Sequence, residues 1–175
     1  VDSGKDYIGV YGANATIDGT ADADGFFVYT DAAAGNDSIR GGAGVDTIQL
    51  YGSNNDTIDG GDGADLLRVS GSSEFILSSS GRDEIRIMGG TNITVDGSSN
   101  ASGIVASLTT VENSIQIVNA SVKGSTSAGN NLADSGGAIG TSLYGGAGQD
   151  TMKVCSTDGY GDGGAGDDQI VVDNL

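Results

Sequence analysis

Four stretches of this 175-residue chain share one nine-residue pattern, GGxGxDxUx, in which U is a large apolar residue. They are residues 41–49 (GGAGVDTIQ), 60–68 (GGDGADLLR), 145–153 (GGAGQDTMK) and 163–171 (GGAGDDQIV). A fixed short period marks a chain that stacks small units on one another instead of folding around one centre. Weaker copies keep the same register. Residues 32–40 retain Gly35, Asp37 and Ile39, and residues 51–59, after a one-residue insertion at Leu50, retain Asp56 and Ile58. Residues 69–77 carry Glu74 and Ile76, and residues 78–86 carry Gly81, Asp83 and Ile85. Nearer the front, the ruler places Asp6 and Asp24 at the acid step and Ile8, Ile17 and Phe26 at the apolar step.

The residue types dictate the local geometry. Glycines that tolerate positive φ make GGxGxD a tight turn, and x-U-x is a short strand whose central side chain points inward. One nonapeptide cannot close a ring, but two form a flattened coil of about 18 residues with turns on both sides. Acids 18 apart then stand above one another: Asp6 with Asp24, Asp56 with Glu74, Asp65 with Asp83, and Asp150 with Asp168. Asp37 with Asp56 and Asp46 with Asp65 are 19 apart, as a bulge at Leu50 predicts. Some ten coils of that size fit the chain.

Composition decides what holds those acids together. There are 24 acidic residues against 7 basic ones, a net charge of −17, and no His, Pro or Trp. This charge disfavours nucleic acid and anionic membrane as partners. The lack of His removes imidazole metal sites and His-dependent catalysis, and no apolar run is long enough to span a bilayer. What remains for metals is oxygen, the preference of hard cations such as Ca²⁺. An isolated Asp in a glycine turn is explained by an Asx hydrogen bond to its own backbone. Stacked pairs in so acidic a chain point instead to Ca²⁺ between the carboxylates, about six ions in all.

With these motifs the chain resembles the RTX family of glycine- and aspartate-rich nonapeptide repeats. The likeness spans roughly residues 1–95 and 144–175. It implies an all-β, right-handed parallel β-roll or β-helix solenoid of about 18 residues per coil, with calcium ions stacked along the turn edges. It implies secretion by a type I channel and Ca²⁺-triggered folding outside the cell. On the family pattern Asp6, Asp24, Asp37, Asp46, Asp56, Asp65, Glu74, Asp83, Asp150 and Asp168 supply carboxylates. Gly42, Gly44, Gly61, Gly63, Gly146, Gly148, Gly164 and Gly166 supply turn carbonyls. Ala15 and Gly159 stand at acid positions, which puts their sites in doubt, and the longer Glu74 weakens its own.

From 96 to 143 the ruler fails, yet Ile104, Leu108, Val111, Ile115, Ile117 and Val122 still alternate with polar residues. This segment reads as metal-poor solenoid coils with longer turns, between RTX-type repeats at 1–95 and 144–175. Cys155 is alone and reads as a small buried residue rather than a reactive thiol. Both ends fall mid-repeat, as in a slice of a longer array.

Two functions compete. One is a calcium-binding structural module of a secreted surface protein, such as a surface layer or adhesin, associating with neighbouring copies or extracellular polysaccharide. The other is an accessory or catalytic β-helix module of a polysaccharide-active or other secreted enzyme. That needs a base such as Lys123 or Arg86 beside carboxylates, with aromatics to hold sugars. No such cluster is visible, so no catalytic residue is assigned.

Overall fold

Short parallel strands alternate with tight turns along the described chain, and no helix interrupts them. The computed structural model describes residues 4–31, 35–108, 117–118, 120–134 and 138–173. Val111 and Ile115, expected in the middle coils, lie outside these residues.

One sheet comprises β1 (Tyr7–Val10), β3 (Phe27–Thr30), β5 (Thr47–Asn54), β7 (Leu66–Ser72) and β9 (Glu84–Thr91). It continues through β11 (Val105–Leu108), β14 (Asn131–Asp134), β16 (Thr151–Val154) and β18 (Gln169–Val172), with β12 (Ile117–Val118) beside the far end of β9. The opposite sheet takes the alternate strands: β2 (Thr16–Asp18), β4 (Ser38–Arg40), β6 (Thr57–Asp59) and β8 (Phe75–Leu77). It is completed by β10 (Thr94–Asp96), β13 (Ser121–Lys123), β15 (Ser142–Ala147) and β17 (Tyr160–Ala165). This is a parallel β-solenoid. Among the described residues, strands of both sheets continue into 96–143, the segment where the ruler fails.

The winding is looser than two strict nonapeptides. The first sheet returns at Tyr7, Phe27, Thr47, Leu66, Glu84, Val105, Asn131, Thr151 and Gln169, the widest step being Val105 to Asn131. The chain therefore makes about eight turns, most of 18–21 residues, where ten were expected. The extra residues go into turns. Six residues link β4 to β5, whereas residues 19–26 link β2 to β3 and residues 97–104 link β10 to β11. The expected insertion at Leu50 also moves. Leu50 is fully buried, and the register shift between β5 and β7 falls between Tyr51 and Ser53, at Gly52 with φ 72°.

The inward side chains form ladders. Val28, Ile48, Leu67, Ile85, Ala106, Leu132 and Met152 stack along one sheet. Ile17, Ile39, Ile58, Ile76, Val95, Val122 and Leu143 stack along the other. All are buried, so β-branched residues fill a thin core between two pleated sheets. Outward, aromatic rings bridge adjacent turns. Tyr7 stacks on Phe27 with centroids 4.8 Å apart, Tyr29 meets Tyr51 at 5.7 Å and Tyr144 meets Tyr160 at 5.6 Å. The ladder thins towards β18, where Ile170, Val171 and Val172 are exposed.

Burying each such aliphatic side chain contributes about 1.5–3 kcal/mol, and a cavity in a core one residue thick has little room to collapse. Ile58→Ala should lower stability by about 2–5 kcal/mol, read by denaturant unfolding in calcium. Val171→Ala, at an exposed site, should change it by less than about 0.5 kcal/mol.

Candidate metal centres

In the six-residue turns the residue before each strand is the sixth, and in-register stacking brings the residues that precede the strands into two columns. Before the first sheet stand Asp6, Phe26, Asp46, Asp65, Asp83, Ile104, Asn130, Asp150 and Asp168; before the second stand Ala15, Asp37, Asp56 and Glu74, followed by the non-acidic Ile93, Ala120, Thr141 and Gly159. Successive members are joined by one recurring bond, in which the acid of one turn accepts the backbone N–H of the column residue one turn earlier. Asp46 N–H donates to Asp65 Oδ1 at 2.8 Å, Asp65 N–H to Asp83 Oδ1 at 3.0 Å and Asp150 N–H to Asp168 Oδ1 at 3.0 Å. In the second column Ala15 N–H donates to Asp37 Oδ1 at 2.6 Å, Asp37 N–H to Asp56 Oδ1 at 2.8 Å and Asp56 N–H to Glu74 Oε2 at 2.8 Å.

One expected pair does not form. Tyr7 pairs with Phe27, a step of 20 residues, so Phe26 and not Asp24 stands over Asp6. Asp24 is exposed and accepts Gly4 N–H at 3.1 Å. The lengthened turn carries the ruler two residues out of phase, and the acid it buries is Asp22.

With one oxygen committed to the ladder, the second decides what each site can hold. Asp46 Oδ2 accepts Gly42 N–H at 2.9 Å. Asp56 takes the Ser53 hydroxyl, and Asp83 takes the Ser78 hydroxyl with the Asn100 amide at 3.4 Å. The second oxygens of Asp37, Asp65, Glu74 and Asp150 are buried and have no donor. An unsatisfied buried carboxylate oxygen is costly, and a cation is one of the few things that can lie against it. Among the described residues no three acidic or cysteine side chains converge, so a cation here would draw most of its six to eight oxygens from backbone carbonyls.

The glycines make that approach possible. A Cβ on Gly60 would stand 2.6 Å from Asp65 Oδ2, so the first glycine of the motif leaves room for the acid. Gly63, at φ 138°, lies directly over the Gly44 carbonyl. The predicted carbonyl donors stack in the same way: Gly61 over Gly42, Gly164 over Gly146 and Gly166 over Gly148. Some of these carbonyls already serve the backbone, as Gly42 accepts Asp62 N–H at 2.8 Å and Gly61 accepts Ser80 N–H at 3.1 Å.

Electrostatics follow from burial. Burial pushes the Asp65 carboxyl up to about 7, against the Asp46 N–H that lowers it, with neighbouring Asp83 and Asp46 adding to the rise. Burial likewise carries Glu74 to about 8, with Asp56 adding repulsion. Asp56 and Asp83 are raised by burial too, though the Ser53 and Ser78 hydroxyls pull them back.

Sequence reasoning missed five buried polar side chains: Ser53, Ser78, Asn100 and Asn130, which meet the column acids, and Asp134, which lies elsewhere. Asn130 stands at an acid position, and its amide nitrogen donates to Asp150 Oδ1 at 2.8 Å, Gly145 O at 2.9 Å and Ala128 O at 3.0 Å. Asp134 lies in the inward column that holds Leu108, where Thr141 and Ser156 hydroxyls and the Cys155 and Ser156 amides satisfy it. Asn130 was findable, since it occupies position six of a degenerate turn. Asp134 breaks an apolar ladder and carries no local signal.

A family model described as the RTX calcium-binding nonapeptide repeat matches residues 31–51, 50–85 and 142–153 in four copies. No curated protein and no solved structure matches the chain.

Raised carboxyl pKa values have a definite consequence for the metal-free chain. Folded Asp65 and Glu74 hold protons that the unfolded chain releases near pH 4, so their contribution is full below that value. It is lost as pH rises towards about 7 and about 8 respectively. In chelator, the melting temperature should therefore fall between pH 5 and pH 8. Asp65→Asn with Glu74→Gln should flatten the fall in calorimetric scans.

Proposed function

We propose that this chain, an RTX repeat protein, is a calcium-binding module that folds and stiffens into a rod when Ca²⁺ fills its two carboxylate columns outside the cell. The observation carrying this reading is the set of buried, donorless carboxylate oxygens on Asp37, Asp65, Glu74 and Asp150. These four are the strongest candidates for side-chain ligands. Asp46 and Asp168 occupy the same column, while Asp56 and Asp83 share their second oxygen with a hydroxyl and bind less. Carbonyls come from the stacked turns at Gly42, Gly44, Gly61, Gly63, Gly146, Gly148, Gly164 and Gly166. Asp6 belongs to the same reading through its place in the first column, and Asp24 leaves it because the register carries it off the column.

Magnitudes suit a switch. Ligand at ten times Kd stabilises the folded state by about 1.4 kcal/mol per site. A handful of sites therefore supplies several kcal/mol, comparable to the whole stability of an ordinary domain. Extracellular calcium modules bind with Kd of about 10⁻⁴–10⁻³ M, which places the transition at the millimolar concentrations met outside cells. In a structural module of a secreted or surface protein, the polar outer faces and bridging rings would meet neighbouring copies or polysaccharide.

Calcium titration followed by circular dichroism tests the reading. In chelator the chain should be marginally stable, with a low melting temperature, and it should gain β-structure cooperatively at millimolar Ca²⁺; Asp65→Asn with Asp150→Asn should raise the midpoint several-fold. A fold and melting temperature indifferent to chelator would sink it.

A further inference from the structure

Residues 19–26 (GTADADGF) and 97–104 (GSSNASGI) are two copies of a second turn, longer than GGxGxD. Their internal bonds correspond one to one. Asp22 N–H donates to Gly19 O at 2.8 Å and Asn100 N–H to Gly97 O at 2.9 Å. Asp24 N–H donates to Asp22 Oδ1 and Ser102 N–H to Asn100 Oδ1, both at 2.8 Å. Gly25 and Gly103 have φ of 83° and 78°. Each turn ends in an apolar residue, Phe26 or Ile104, at the position where GGxGxD carries its acid. Each buries an Asx side chain four residues earlier, Asp22 at 1% exposure and Asn100 at 0%.

What the buried Asx does is visible in the second copy. The Asn100 amide nitrogen reaches into the previous turn and donates to Ser78 Oγ at 2.8 Å, Gly81 O at 2.8 Å and Asp83 Oδ2 at 3.4 Å. An amide donor there ties together oxygens that would otherwise repel. The strand registers, Glu84 with Val105 and Tyr7 with Phe27, make Gly4 the counterpart of Gly81 and Asp6 the counterpart of Asp83. Gly4 also shares the positive φ of Gly81, 121° against 90°. By that register Asp22 brings an acceptor to the place in its turn where Asn100 brings a donor, and its Oδ2 is buried with no partner. Oxygen facing carbonyl and carboxylate oxygen needs a proton or a cation between them.

We propose that Asp22 is a ligand of a further Ca²⁺, held with the Gly4 carbonyl and the Asp6 carboxylate in the long turn, and that Asn100 is the metal-free version of the same site. Here the metal ligand lies four residues before the acid position of the nonapeptide, so the site sits outside the repeat. Its hard-oxygen ligands and net negative charge select a divalent cation over a water or a monovalent ion. The remaining coordination falls to water, since Asp6 is only partly buried. The proposal rests on the calcium reading above, and its test separates the two.

The experiment counts calcium ions bound per chain, by equilibrium dialysis with elemental analysis, on the full chain and on Asp22→Asn and Asn100→Asp. Asp22→Asn installs the side chain that the sister turn already accommodates. It should bind one ion fewer than the unaltered chain and keep or raise its melting temperature in chelator. Asn100→Asp should bind one ion more and lose melting temperature in chelator, regaining it on addition of Ca²⁺. An Asp22→Asn chain that folds by circular dichroism and still binds the full number of ions would overturn the proposal while leaving the calcium module standing. An unaltered chain that binds no calcium would overturn both.

Discussion

One bond couples charge to architecture throughout this solenoid: a carboxylate oxygen accepting the backbone N–H of the equivalent residue one turn earlier. Because each acid serves as a rung between turns, it cannot swing out into water without breaking the stack. It is held inside, in line with the next acid, and the repulsion that follows must be answered locally. The backbone hydrogen bonds of the two parallel sheets set the spacing of the turns, and that spacing leaves the carboxylates no route of escape from one another.

The chain itself answers that repulsion with two kinds of donor, and at some acids with none. Hydroxyls answer it at Asp56 and Asp83, supplied by Ser53 and Ser78. Amide nitrogens answer it at Asp83 and Asp150, supplied by Asn100 and Asn130. The second oxygens of Asp37, Asp65, Glu74 and Asp150 have no donor in the protein. A neutral donor is permanent, whereas a cation depends on its concentration in the surrounding solution. The distribution of Ser and Asn along the columns therefore sets how much of the rod is self-sufficient, and the serine- and asparagine-rich middle supplies much of its own donor chemistry.

The solenoid, its two sheets and the identity of most column acids were legible in the nonapeptide spacing, because U and D are fixed by the pleat and the turn together. Asp37 over Asp56 and Asp65 over Asp83 followed from counting alone. Counting failed where the turn changed length. Between Asp18 and Phe27 two added residues shifted the phase, moved the buried acid from Asp24 to Asp22 and put Phe26 in its column. The bulge was likewise placed at Leu50 when the strand puts it at Gly52, since only a three-dimensional register shows which residue leaves the ladder. Asp134 was invisible because its partners come from 7, 21 and 22 residues away.

The ring pairs on the outer face have a practical corollary. The protein has no Trp, so its six Tyr dominate near-ultraviolet absorption and emission. Each pair spans one inter-turn step, two near the front of the rod and one near its end. The chain thus carries native optical gauges, and the order in which their signals change reports whether the rod zips from one end or assembles everywhere at once.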